Sequence, residues 1–247
     1  MRPRNSYISL GWGLLLTGVL LVPVAHSLLK STPLTALGLS LIILGAVCLV
    51  LGRTRPKISP EVSVLLLETG LENISAMIEE LGLRSKGIYL PSSKTQGGQL
   101  QALVPLDSSL SLAAMDKTLP KRLIVKYGRN PGDMGLLITT PGSAVTRMLE
   151  SIPGSTAAEL EDALSHILDG VLDVADGVRV AVTDKSITVE VHNPRVEYKN
   201  IRLYECLGSP LASIAAALAA ETLGKPITVQ KEELSKSKSL IELRILE

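Results

Sequence analysis

The residues best placed for chemistry lie where an apolar run, residues 134–139, breaks into Thr140-Pro141-Gly142-Ser143. A strand that turns into a helix there leaves backbone N–H groups at the positive end of the helix, an arrangement that suits phosphate or carboxylate. Thr140, Gly142 and Ser143 are therefore the candidate anion-binding residues. The run lacks the Gly-x-x-x-x-Gly-Lys of a nucleotide loop, and ordinary capping by Thr140, with Pro141 at the first helical position, explains the same residues. Gly208-Ser209-Pro210 has the same form and reads as the start of an Ala-rich helix. Neither serine stands in a Gly-x-Ser-x-Gly elbow.

Other polar side chains offer less. Asp169, Asp173 and Asp176 fall on one helical face and its exit, where a cation is conceivable, but the spacing is not that of a calcium loop. A solvated face with a turn at Asp176-Gly177 is the simpler reading. The three histidines, His26, His166 and His192, are not spaced with cysteine or with each other as metal ligands. Cys48 lies within an apolar run and Cys206 far away, which excludes a disulfide framework and a four-cysteine metal site. Cys206, with no cation near it in sequence, reads as a small packed residue. No catalytic residue, cofactor or metal is predicted.

The elements that would hold these residues are short and alternate regularly. A helical stripe of Val64, Leu67, Leu71, Ile74, Ile78 and Leu81 stops at Gly82. It reads as a helix packed on its own sheet or as a parallel pairing between two chains. Strands follow over 86–90, 100–106, 122–127 and 134–139, then a helix over 140–150. Thr156 and Glu159 form a capping box for the next helix, with Leu160, Leu164, Ile167, Val171 and Val174 facing inward. A hairpin over 178–183 and 186–192 turns at Asp184-Lys185. A strand over 201–204, the Ala-rich helix from Ser209 to Gly224, and strands over 227–231 and 240–246 complete the chain. Three segments thus repeat the order helix, strand, strand, from near Glu61, Thr156 and Ser209. The fold class predicted is α+β, with helices on one face of an antiparallel or mixed sheet.

Everything before this domain is apolar. Residues 8–29 and 34–51 contain no Asp, Glu, Lys or Arg, and Lys30 is the one basic residue of the turn between them apart from His26, so each run can cross a hydrocarbon core as a helix of roughly 20 residues. Residues 1–52 therefore read as a transmembrane hairpin, 53–60 as a basic linker and 61–247 as a cytoplasmic domain. Gly11, Gly13, Gly18, Gly38 and Gly45 leave room for the two backbones to meet. Arg2, Arg4, Arg53, Arg55 and Lys57 flank the hairpin, which places both termini in the cytoplasm by the positive-inside rule. A secretory signal at the N-terminus is the rival reading, disfavoured because the second run would then anchor the product with its basic flank outside.

Six basic residues and no acid precede Ser59, leaving 19 basic against 24 acidic residues in the remainder. That acidic balance excludes a phosphate backbone as a natural partner, so no nucleic acid is expected. The basic linker suits the anionic surface of a bilayer. With no Phe in the chain, Leu, Ile, Val and Ala must fill the core.

The runs Leu136-Leu137-Ile138-Thr139-Thr140-Pro141-Gly142-Ser143 and Gly208-Ser209-Pro210-Leu211-Ala212-Ser213 resemble those of a family of uncharacterised archaeal membrane proteins. That resemblance implies two N-terminal membrane helices and a cytoplasmic α+β domain. The closing helix, strand, strand is also similar to the end of the four-vinyl-reductase-like small-molecule-binding domain, without that family's closing Gly-Asp and cysteine cluster. Neither resemblance transfers a catalytic residue. The function expected is non-enzymatic binding of a partner protein or small ligand near the inner leaflet. The alternatives are a membrane-bound enzyme acting on an anionic or lipid-like substrate, with Thr140 and Ser143 at its anion end, and a homo-oligomer formed through the hairpin and the 64–81 stripe.

Overall fold

The structure, a computed structural model, describes residues 6–54, 60–106, 118–149, 154, 156–196, 198, 201–235 and 237–246. Two compact units divide the chain, residues 1–68 and 69–247.

The first unit is built on helices α1 (Ser6–Pro23), which runs on through a π-helical turn Val24–Leu28, and α2 (Thr32–Thr54). Glycines set their contact. A Cβ on Gly11 would lie 3.0 Å from the Gly45 carbonyl oxygen, and one on Gly18 would lie 2.8 Å from that of Gly38. Gly52 closes the seam, where a Cβ would lie 2.6 Å from Ile8 Cγ1. The glycines thus recur every seven residues on both helices, 11 and 18 against 38, 45 and 52, and a seven-residue repeat keeps one seam in register along a pair of helices. Gly13, expected in the same seam, faces open space, with nothing within 4 Å of its Cβ direction.

Away from the seam, Leu10, Trp12, Leu16, Leu20, Leu39, Ile43 and Val50 are exposed. Three hydroxyls of the hairpin turn back on their own helix backbone. Thr17 donates to the Gly13 carbonyl at 2.8 Å, Thr35 to Ser31 at 2.9 Å and Ser40 to Ala36 at 3.0 Å.

The second unit holds, among the described residues, eight strands in one sheet: β1 (Ile88–Leu90), β2 (Gln101–Pro105), β3 (Ile124–Lys126), β4 (Met134–Ile138), β5 (Gly177–Val182), β6 (Ser186–His192), β7 (Ile227–Leu234) and β8 (Lys238–Ile245). Their order is β3-β4-β2-β1-β7-β8-β6-β5, and every neighbouring pair is antiparallel. The expected choice between antiparallel and mixed is thereby decided. The three helix-strand-strand segments contribute adjacent pairs: α3 (Pro60–Glu80) precedes β1–β2, α5 (Ala157–Ser165) precedes β5–β6, and α7 (Pro210–Leu223) precedes β7–β8.

Local sequence explains the helix ends. Gly82, at φ +66°, donates to the Glu79 carbonyl while Leu83 donates to Ile78, and both Ile78 and Leu83 are buried. This is a Schellman stop, which a residue with a Cβ would strain. Thr156 and Glu159 cap α5 reciprocally, as their spacing predicts. Val171 differs from expectation. It is half exposed, because the helix widens into a π turn over His166–Val171 and carries it out of the inward face.

Residues 201–204 also differ. Ile201 is extended, but Arg202–Leu207 forms a short helix, α6. A four-residue apolar run cannot distinguish strand from helix by period. The burial of Leu203, Cys206 and Leu207, three and four apart, and the Arg202–Glu205 ion pair on the other face select the helix.

α7 is the centre of the core. It touches α4 (Pro141–Thr146), α5, α6, β1, β7 and β8, and Ala212, Ala215, Ala216, Ala217, Ala219 and Ala220 are fully buried. Residues 202–223 are long and apolar enough to cross a membrane, yet 83% of that window is buried inside the domain, against 17% for each helix of the hairpin. Alanine is what lets one helix be packed on all sides at close range. Tyr89, Ala102, Val104, Leu136, Val189, Val229 and Leu243 meet it and its neighbours from the helix-bearing face of the sheet. Ile88, Leu90, Leu103, Val125 and Leu137 form a smaller cluster on the other face.

Candidate functional site

Thr140, Gly142 and Ser143 lie at the start of α4, where Thr140 caps the helix. The Thr140 N–H donates to Ser143 Oγ at 3.1 Å and the Ser143 N–H to Thr140 Oγ1 at 3.2 Å, a reciprocal capping box. The Gly142 N–H donates to Ser213 Oγ on α7 at 3.2 Å. Thr140 and Ser143 are buried. The donors that an anion would use are thus all engaged within the protein. Gly142 marks a close approach of two helices, since a Cβ there would lie 2.2 Å from the Ser213 carbonyl oxygen and 2.5 Å from Ala217 Cβ.

Asp173 and Asp176 are both bound by Arg195, and Asn193 donates to Asp176 at 2.9 Å. The positive charge at that turn is a side chain of the protein itself. Among the described residues no three His, Cys, Asp or Glu side chains converge as a metal-ligand set. Burial pushes the Cys206 thiol up, and the nearby Arg202 and Lys86, which sequence distance concealed, do not reverse that. Cys206 is accordingly a packed thiol rather than a reactive thiolate.

A more developed site lies at the junction of α6 and α7. Three carbonyls that end α6 are each met by a donor from the approach to β1 or from β1 itself: Glu205 by Lys86 Nζ at 3.0 Å, Cys206 by the Gly87 N–H at 2.7 Å and Leu207 by the Tyr89 hydroxyl at 2.8 Å. The chain then passes Gly208, at φ +80°, where a side chain would be strained and its Cβ would press on Ala212 at 2.9 Å. Ser209 caps α7 through its Oγ, which accepts from the Ala212 N–H at 3.2 Å.

Glu232 completes the junction from β7. Its carboxylate accepts from the Ser209 N–H at 3.1 Å, from Ser209 Oγ at 2.5 Å and from the Tyr198 hydroxyl at 2.9 Å. An anion there balances the positive end of α7. Glu232 reaches this position because of a bulge. The register slips between Val229 and Lys231, so Lys231 lies opposite Glu242 and Glu232 opposite Ile241. Ile241 belongs to the helix-facing core, so the extra residue turns Glu232 towards α7. Simple alternation from Ile227 and Val229 would turn Lys231 that way instead.

Around this junction lies a cavity of about 240 Å³, whose polar lining includes Lys86, Tyr198, Tyr204, Glu205, Ser209 and Glu232. The rings of Tyr198 and Tyr204 meet edge to face, with centroids 5.5 Å apart. Burial raises the Tyr204 hydroxyl above its ordinary value. Ser209 is buried, and its Oγ accepts from the Ala212 N–H and donates to Glu232, which fixes it as the cap of α7. Sequence reading found Gly208-Ser209-Pro210 as a helix start but not Tyr198, Tyr204, Lys86 or Glu232. Glu232 is concealed in the run Lys231-Glu232-Glu233, and only the bulge sets it apart.

Burial, with the neighbouring Glu232 carboxylate adding to it, pushes the Tyr198 hydroxyl up to about 12. A tyrosine in the unfolded chain ionises near about 10. The fold therefore favours the neutral phenol, and the stability this contributes is complete below about pH 10 and lost as the pH rises towards about 12. Tyr198→Phe is expected to cost about 1 kcal/mol at neutral pH and to flatten part of the alkaline loss. Urea midpoints of wild type and variant at neutral and alkaline pH check both effects.

Fold and site together define an α+β chain in which an apolar helical hairpin leads into an all-antiparallel eight-stranded sheet built round a buried alanine helix. The chain belongs to a family described as a domain of unknown function (DUF7982), whose pattern matches residues 2–245, nearly its whole length. No curated protein and no solved structure matches it.

Proposed function

We propose that this is a membrane-anchored binding protein: α1 and α2 cross the bilayer as a hairpin with both termini cytoplasmic, and the sheet domain takes up a small ligand in the α6–α7 cavity. The observation that carries the binding half is the cavity itself, which gathers two tyrosines, a lysine and two carboxylates around one helix junction, Glu205 being paired with Arg202 and Glu232 lying against the cap of α7. Lys86 and Glu232 are of opposite charge, and tyrosine faces attract cations. The ligand class that suits them is a small molecule with an amine and an acid group, the amine towards Glu232 and the tyrosines and the acid towards Lys86.

The anchor is supported by the exposed leucines of the hairpin and by the hydroxyls of Thr17, Thr35 and Ser40, which are satisfied by carbonyls one turn back, as a medium without water requires. The test is native mass spectrometry of the full chain released from detergent micelles. A retained small molecule, absent from Lys86→Glu and Tyr204→Ala proteins that remain folded, is the expected result. A bare chain in wild type, after incubation with a mixture of amino acids and related zwitterions, would contradict the reading.

A further inference from the structure

Five apolar side chains on the first half of α3, Val62, Val64, Leu65, Leu66 and Leu67, are between 47% and 63% exposed. At about 100° per residue they fall all round the helix axis rather than on one face. The second half of α3 behaves differently. Ile78 is buried, and Leu71, Ile74 and Met77 pack against the core of the sheet domain, so the apolar stripe that looks continuous in sequence divides into a core half and an exposed half.

A helix that is apolar all round is one surrounded by protein core or by lipid. Only residues 55–59 separate α3 from the end of α2 at Thr54, a connection that spans no more than about 20 Å even when extended. A segment held that close to the end of a membrane helix has the headgroup layer within reach. Glu68 follows the apolar residues directly and limits the segment to two turns.

We propose that residues 62–67 of α3 form a third contact with the bilayer, lying in the interfacial layer with lipid covering the exposed valines and leucines. This rests on the reading of α1 and α2 as membrane helices, and the test separates the two. Trp12 is the one tryptophan of the chain and lies exposed on α1. The full-length protein is reconstituted into vesicles of phosphatidylcholine and phosphatidylglycerol, with and without bromine on the acyl chains. Two forms are compared, the wild type and a Trp12→Leu, Leu66→Trp variant, with Trp12→Leu, Val64→Trp as a second probe should the first not fold.

The expected result is a blue-shifted emission from position 66 or 64 and a loss of emission in brominated vesicles comparable with that of Trp12. Emission at the wavelength of an indole in water, without quenching, while Trp12 is quenched, would overturn this inference and leave the anchor standing. A blue shift without quenching would also overturn it, by placing a second copy of the chain over the segment. If Trp12 itself escapes quenching, the anchor and this contact fall together.

Discussion

Gly45→Leu is expected to separate the two helices of the hairpin. A Cβ at that position would lie 2.8 Å from the Leu15 backbone nitrogen and 2.9 Å from the Gly11 carbonyl oxygen. Both are main-chain atoms, so neither can move aside by changing rotamer. The helices must part, and the loss of dispersion along a seam set by five glycines costs about 3 kcal/mol, at the upper end of what overpacking a single site costs. Gly13→Leu is the matched control, because nothing stands within 4 Å of it. Thermal unfolding of the helical signal in detergent should show a clearly lower midpoint for Gly45→Leu and none of that loss for Gly13→Leu. Equal effects would mean that the seam is not where these distances put it.

Gly142→Val is expected to have the larger effect on the sheet domain. Its first side-chain carbon would lie 2.2 Å from the Ser213 carbonyl oxygen and 2.5 Å from Ala217 Cβ, on a helix that is buried on every side. α4 cannot retreat freely, since the Gly142 N–H is bonded to Ser213 Oγ and the Thr140–Ser143 box fixes the turn before it. A loss of about 3 kcal/mol or more is expected, against about 1 kcal/mol for removing the cap in Thr140→Ala. Urea unfolding of the full chain in detergent, followed by the near-ultraviolet signal of its tyrosines, measures the difference. Retention of full stability by Gly142→Val would show that α4 and α7 are not in the close contact described.

Those two glycines show what could be read from sequence and what could not. The small residues of the hairpin announce close packing, but the choice of Gly52 over Gly13 depends on how two helices are rotated about their axes, which a single chain's pattern leaves open. Thr140, Pro141, Ser143, Thr156, Ser209 and Gly224 place helix ends correctly because capping is local chemistry, complete within a few residues. Alternation places β5, β6 and β8, and β7 as far as its bulge, for the same reason.

The site at α6 and α7 escapes such reading because its parts meet only in three dimensions. Lys86 and Glu232 are brought to the junction by the pairing of β1 with β7 and by one bulge, neither of which leaves a periodic trace, and Tyr198 joins them through its hydroxyl on Glu232. Ile201 to Tyr204 shows the opposite limit. The residues are neighbours, but the run is too short for its period to declare a helix.

The claim on which the rest depends is that α1 and α2 are an anchor in lipid, and flotation of the reconstituted full chain tests it most directly. After a wash in concentrated urea, which strips proteins held at a membrane surface by charge, the chain should still rise with the vesicles, because two apolar helices cannot leave the hydrocarbon without exposing their leucines to water. Quantitative release into the aqueous fraction would contradict the anchor and assign the apolar hairpin to a protein partner instead.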